Sequence, residues 1–295
     1  MFLAVNALVA LVYAAGNILV ITTFIKTQKL RSSTNYYFTS IAVSDVLFVG
    51  TLGMLYSSSR LSVSGHSVST FQCKLGMYLA TALYSVSMAS LVLTTVDRFL
   101  TIVFPLKVTM ISGRTRTLFI LLTRIIPLGT LVPYLYAARD AKPDELFLCT
   151  TDTSGLKLTI YRTVGFVVFY RAPVVLIINL NVRIMKSLRR TNPVIQENSQ
   201  RNEIRRKKNQ RIMKVLISIT VCFIICWFFY YLATFLFKFL QTSLKRNIQV
   251  MVHIVCYCFL PFVSTAVNPV ILFTFSTNYH QALKNYLRLA VVKCR

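Results

Sequence analysis

The sequence predicts an all-α membrane protein: a seven-helix membrane-spanning bundle followed by a short amphipathic eighth helix. Three observations predict it. Of 295 residues, 55% are hydrophobic, only 14% are charged, and the apolar residues gather into seven long runs. A hydrocarbon layer about 30 Å thick needs roughly 20 apolar residues per helical span. Each run is apolar throughout instead of alternating, and lipid offers no water to unpaired backbone groups, so helices follow and strands do not.

In chain order the runs cover residues 2–25, 37–58, 71–103, 117–136, 158–182, 212–237 and 250–275. The first contains a stretch, Ala14, Ala15 and Gly16, that resembles a signal-peptide cleavage site. It is too long for a signal, and its charges, Lys26, Lys29 and Arg31, follow the apolar stretch instead of preceding it, so a retained helix is expected. Short connections keep successive helices adjacent and antiparallel, which makes residues 1–295 one domain. Pro133, Pro173 and Pro269 stand inside the fourth, fifth and seventh runs, where each frees a carbonyl and permits a kink. The inner connection from Lys186 to Gln210, rich in Arg and Lys, reads either as a solvated, partly disordered loop or as a docking surface for a cytoplasmic partner. From the end of the last run through residues 276–290, Phe275, Tyr279, Leu283, Leu287 and Ala290 recur at helical spacing with Lys284 and Arg288 between them. That pattern fits an amphipathic helix on the inner leaflet, and Cys294 after it is a candidate palmitoylation site.

A net charge of +25 raises the question of nucleic acid, and the placement of the charges answers it. With the N-terminus outside, 21 Lys and Arg lie in or beside the inner connections and tail, against 9 in or beside the outer ones, with Lys214 counted inside and Lys74 and Arg162 outside. This is the positive-inside bias, so the tail is cytoplasmic and the basic surface meets anionic lipid and cytoplasmic proteins, not nucleic acid.

Polar side chains at mid-membrane depth are expensive and ask for a partner or a task. Asn17, Asp45, Ser87, Ser264 and Asn268 sit well inside their runs. A lone Asn or Ser there is commonly a structural hydrogen bonder, whereas a carboxylate at the depth of Asp45 must be protonated, paired or bound to a cation. In the third run, Cys73 and Arg98 are separated by about 37 Å of helix, so they face opposite sides of the membrane. Cys73 is then on the oxidising side, as is Cys149 in the outer connection between runs four and five. These are the cysteines in outer segments near a helix end or loop, and a Cys73 to Cys149 disulfide is expected, the alternative being two free thiols. Cys222, Cys226, Cys256 and Cys258 lie within runs and read as small apolar filling.

Taken in order, these residues resemble the rhodopsin-like family of G-protein-coupled receptors over essentially the whole chain. Gly16-Asn17 is similar to the first-helix pair, and Ile41-Ala42-Val43-Ser44-Asp45 to the second-helix motif. Asp97-Arg98-Phe99, with Pro105-Leu106 after it, resembles the motif at the cytoplasmic end of the third helix. Cys226-Trp227, preceded by Phe223, resembles the sixth-helix toggle, and Asn268-Pro269 the seventh-helix motif. The sequence departs from the pattern at Phe99 (usually Tyr), Phe229 (usually Pro), and Asn181 and Leu272, where the family carries Tyr hydroxyls that help hold the active state. Arg124 lies near the place of the fourth-helix Trp.

The resemblance implies binding without bond-making. An extracellular ligand would enter among the outer ends of runs three, five, six and seven, the pocket including Ala80, Thr81, Tyr84, Tyr230, Tyr231, Thr234 and Cys258. Phe223 and Trp227 would act as a packing switch beneath it. Arg98, held by Asp97 at rest, would be exposed when the sixth helix tilts outward, and a heterotrimeric G protein would dock there. Asp45, Ser87, Ser264 and Asn268 would hold a sodium ion in the inactive state; no other cofactor is expected. Ala80 stands where amine receptors place Asp, and Phe262 where opsins place Lys, so neither a monoamine salt bridge nor a retinal Schiff base is expected. Asp140, Asp144, Glu145 and Asp152 in the outer loop read either as an ordinary solvated loop or as a surface for a cationic peptide; a peptide ligand is favoured, at a plasma membrane with the N-terminus outside. The alternatives are a decoy or scavenger receptor that binds without coupling, kept open by Asn181 and Leu272, and a secondary transporter, against which stand the missing internal repeat and the single acid, Asp45, buried away from the cytoplasmic end. No enzyme is expected, because His66, His253 and His280 are scattered and no nucleophile and base converge.

Overall fold

The computed structural model describes residues 2–63, 70–105, 112–140, 149–151, 155–190, 199–240 and 246–293. The long helices are α1 (Phe2–Lys26), α2 (Ser33–Val63), α3 (Thr70–Val103) and α4 (Gly113–Thr130). The fifth rod, α5, joins Leu156–Phe166, a π-helical Val167–Arg171 and Ala172–Arg190. Next come α6 (Ser199–Leu240) and α7, made of Arg246–His253, a π-helical Ile254–Phe259 and Leu260–Phe275; α8 (Thr277–Lys293) follows. Among the described residues, five stretches are long and apolar enough to cross a bilayer unaided: Thr34–Gly53, Thr70–Val103, Gly113–Ala137, Leu156–Arg189 and Arg206–Leu236. Leu11–Lys26 is a shorter apolar helix, and Leu260–Phe275 turns by 89° into Thr277–Asn285. On α8, Tyr279 and Ala282 are buried while Asn278, Gln281, Lys284, Asn285 and Arg288 are exposed, so it lies across the end of the bundle with one face inward.

Prolines decide the irregularities. A proline lacks the N–H that bonds four residues back, and its ring crowds that carbonyl. A π-helical turn precedes Pro173 and another precedes Pro261, where the widened backbone relieves the crowding. In α4 the helix contains Pro127 and stops at Thr130; Pro133 lies in the turn that follows and caps a single further turn, Tyr134–Ala137. The expected kink at Pro133 is therefore a break. The carbonyls stranded at the end of α4 are met from neighbouring helices: Tyr78 Oη donates to the Leu128 carbonyl (2.7 Å) and Tyr161 Oη to that of Thr130 (2.6 Å).

The two-stranded hairpin between α4 and α5 was not anticipated by the all-helical reading. Ala138–Asp140 pairs antiparallel with Cys149–Thr151, Asp140 opposite Cys149, and the expected Cys73–Cys149 disulfide ties it to the start of α3. Water, unlike lipid, tolerates such open edges. The connection between α5 and α6 differs too: α5 runs to Arg190 and α6 begins at Ser199, so most of the stretch from Lys186 to Gln210 is helix and not loop. Glu, Gln, Arg and Lys are good helix formers, and leaving the membrane does not itself end a helix.

Small and polar side chains set the close contacts. A Cβ on Gly16 would lie 3.2 Å from Pro269, and one on Gly76 would lie 2.3 Å from Leu55 Cδ2, so α1 meets α7 and α3 meets α2 nearly backbone to side chain. Pro269 leaves the Thr265 carbonyl without its helical partner, and Asn17 Nδ2 of α1 donates to it (3.1 Å). Arg124 of α4 donates to Ser40 Oγ of α2 (2.9 Å), which accounts for an arginine at that depth.

Candidate functional site

Asp45 is where α2, α3 and α7 meet. It is 3% exposed. Its Oδ1 accepts from Ser87 Oγ at 3.2 Å and its Oδ2 from Asn268 Nδ2 at 2.7 Å. Three of the four residues expected at a sodium site are thus brought together. Ser264, also buried, donates instead to the Pro261 carbonyl of its own helix (2.7 Å). The donor set fits a hard cation in kind, being two carboxylate oxygens and hydroxyl oxygens. Asn268, however, turns its NH2 toward Asp45, and its Oδ1 is buried without a partner. A small crevice beside it is lined by Asn17, Ile41, Ile219, Pro269 and Leu272, among others. Leu272, at the place of the family's Tyr, adds no hydroxyl there.

On the Cys73 side of Asp45, Trp227 of α6 packs against Tyr84 (ring centroids 3.8 Å), Tyr230 (5.1 Å), Phe223 (5.9 Å) and Phe48 (6.0 Å). Tyr84 stacks on Phe223 at 5.6 Å. Tyr231 carries the cluster to α5, meeting Phe166 at 4.5 Å and Tyr170 at 4.8 Å, and Tyr170 Oη donates to the Ile224 carbonyl (3.1 Å). The expected pocket residues Tyr84, Tyr230 and Tyr231 therefore belong to one aromatic floor. Thr81 and Thr234 donate to Met77 and Tyr230 carbonyls of their own helices, and Ala80 packs against the core. The side chain of Cys258 lies outside the described residues, as do Cys294 and the outer-loop acids Asp144, Glu145 and Asp152. Sequence reasoning missed Phe48, Phe166 and Tyr170. The four-residue step from Phe166 to Tyr170 was the available signal.

Near the C-terminal end of α3, Arg98 Nη2 lies 2.5 Å from Asp97 Oδ2, and Nε also donates to it at 3.2 Å. Both residues are 9% exposed. Beside the pair, Ile184 and Leu188 of α5 and Met213 and Leu216 of α6 form an apolar collar against which Phe99, Ile102 and Ile217 pack. Phe99 is thus part of the collar, a role that a comparison with Tyr alone does not reveal. Asn181, one turn further out on α5, has a buried Oδ1 with no partner. Among the described residues no group of three or more His, Cys, Asp or Glu could hold a metal ion.

A buried carboxylate spanned by three helices, an aromatic floor and a closed ionic pair on one helical bundle define a membrane receptor. Residues 16–272 match the model of the 7 transmembrane receptor (rhodopsin family), and the chain belongs to that family of G-protein-coupled receptors, a receptor family and not an enzymatic one. It is 25% identical to neuropeptide FF receptor 2 of Mus musculus over 100% of this chain and 74% of that protein. It is 26% identical to neuropeptide Y receptor type 2 of Cavia porcellus over 95% of this chain and 74% of that one. With somatostatin receptor type 5 of Mus musculus it shares 36% identity over 34% of this chain and 27% of that protein. The protein is a multi-pass membrane receptor.

Proposed function

We propose that this receptor responds to an extracellular peptide and passes the signal to a heterotrimeric G protein by opening the cytoplasmic ends of α3, α5 and α6. The observation that carries the reading is the buried Asp97–Arg98 pair on α3 beside an apolar cluster of α5 and α6; in this reading the two together close the surface a G protein would need. Peptide binding draws support from the printed names of relatives, two of them neuropeptide receptors and another the QRFP-like peptide receptor of Branchiostoma floridae, 24% identical over 94% of this chain. Ala80 at the amine position and Phe262 at the retinal-lysine position agree with it. The ligand rests on the floor of Tyr84, Tyr230 and Tyr231, displaces Trp227 and Phe223, and so frees α6 to tilt. The seven spans and α8 act as one receptor domain in the plasma membrane, N-terminus outside and tail cytoplasmic, and Cys294 accepts a lipid.

Asp45, Ser87 and Asn268 hold a sodium ion in the resting state once the Asn268 amide turns its oxygen inward. Ser264 joins by a hydroxyl lone pair. The decoy reading is favoured by Leu272 and by Asn181, whose buried Oδ1 has no partner; both lack the phenol the family carries at those places. One experiment separates the two: peptide libraries screened on expressing cells with binding and nucleotide exchange read together. Exchange that follows binding, and is lost in Arg98→Ala at equal surface expression, supports coupling. Saturable binding with no exchange in the parent supports the decoy.

A further inference from the structure

Two arginines stand deep within spans, and the bundle treats them differently. Arg124 on α4 has the Ser40 hydroxyl of α2. Arg171 on α5 is exposed and, among the described residues, has neither a hydrogen-bond nor an ion-pair partner. Its position is central: Arg171 lies 13 residues after Leu158 and 11 before Val182, which places it about 20 Å and about 17 Å of helix from the two ends of the apolar run. An arginine stem cannot carry the guanidinium that far to either headgroup layer.

The face around it is the outer face of the bundle. Only 11% of the most apolar window of α5 is buried, against 61% in α3, and Val164, Val168, Val175, Leu176 and Ile178 are exposed beside Arg171. Hydrocarbon suits those side chains. It does not suit Arg171 or Asn179, which flank Val175 in a stripe at four-residue intervals (171, 175, 179), continued by the exposed Arg183. Asn179 Nδ2 donates to the Val175 carbonyl at 2.8 Å, which leaves its side-chain oxygen on the same face as an acceptor. A charged group at this depth is stable when paired, and polar side chains on outer faces join helices in membranes. A second copy of the chain offers no match. The acids described within its spans, Asp45 and Asp97, are buried and engaged by Ser87 and Asn268, and by Arg98.

We infer that the Arg171–Asn179 face of α5 docks the transmembrane helix of a different membrane protein, one carrying an Asp or Glu near the bilayer midplane. The carboxylate meets the Arg171 guanidinium, and a hydroxyl or amide donor two turns inward meets the Asn179 oxygen. Such a partner is held from the side, away from both the outer pocket and the cytoplasmic collar.

The test uses the full chain, fluorescently labelled, in phosphatidylcholine vesicles with synthetic single-span Leu/Ala helices that carry an acceptor dye and a central Asp, Asn or Leu. The Asp helix is expected to associate about tenfold more tightly than the Leu helix. Arg171→Leu should remove that preference, Arg171→Lys should keep most of it, and Asn179→Leu should leave the preference for Asp in place. Where the leucine variant does not fold, judged by thermal unfolding, Arg171→Gln takes its place. Equal association of the Asp and Leu helices overturns the inference, as does a preference that survives loss of the arginine charge. Energy transfer between receptor copies that depends on Arg171 also overturns it, by assigning the face to self-association.

Discussion

The two buried polar centres of this receptor are built by opposite means. Around Asp45, α2, α3 and α7 are joined by directional hydrogen bonds, and nearby α1 is fixed to α7 through Asn17 and the contact of Gly16 with Pro269. Around Arg98 the ion pair stays within α3, and its neighbours Phe99 and Ile102 meet α5 and α6 through Ile184, Leu188, Met213 and Leu216, which have no directional preference. A hydrogen bond lost in a dry interior costs its full desolvation, whereas apolar side chains slide past each other and regain contacts elsewhere. The first centre is therefore a frame and the second a gate.

That contrast can be broken at several points. The largest effect is expected at Gly76, where even a methyl meets Leu55: Gly76→Val should lower stability in detergent by about 2–3 kcal/mol through overpacking. Leu55→Ala in the same chain should restore a good part of it, and additive losses in a thermal-shift double-mutant cycle would show that the two do not share one contact. Next comes Leu216→Ala in the collar, expected to cost about 2 kcal/mol and to raise ligand-free nucleotide exchange. If exchange stays at the parental level while stability falls, the collar is packing and not a gate. Asp45→Asn should leave ligand-free exchange near the parental value but abolish any effect of sodium on agonist affinity. A sodium response equal to the parent's would remove the ion from this site. The smallest effect belongs to Asn17→Ala, about 1 kcal/mol, seen as a lower melting temperature with coupling preserved.

Local chemistry made the frame legible in sequence. Asp45, Ser87 and Asn268 stand out because a polar side chain in an apolar run is rare, and the two outer cysteines because only one compartment oxidises thiols. The gate was hidden for the opposite reason. Ile184, Met213 and Leu216 look like every other apolar residue of a span, and nothing within α5 or α6 alone says which of them face each other. Phe48 joined the Trp227 cluster from a helix more than 170 residues away in sequence. The break in α4 was legible in part: two prolines, Pro127 and Pro133, lie close together, and which one ends the helix depends on whether the freed carbonyls find partners such as Tyr78 and Tyr161. The mismatch at Ser264 has a similar origin, since a membrane serine can always fall back on the carbonyl a turn behind it.

Pro269 both weakens and fastens α7. The oxygen its ring leaves bare is the one Asn17 grips, so the seventh helix can flex at that level without exposing a raw acceptor to lipid. Pivot and rivet lie one helical turn apart, and any swing of the segment from Pro269 to Phe275 is referred to α1 as its fixed post.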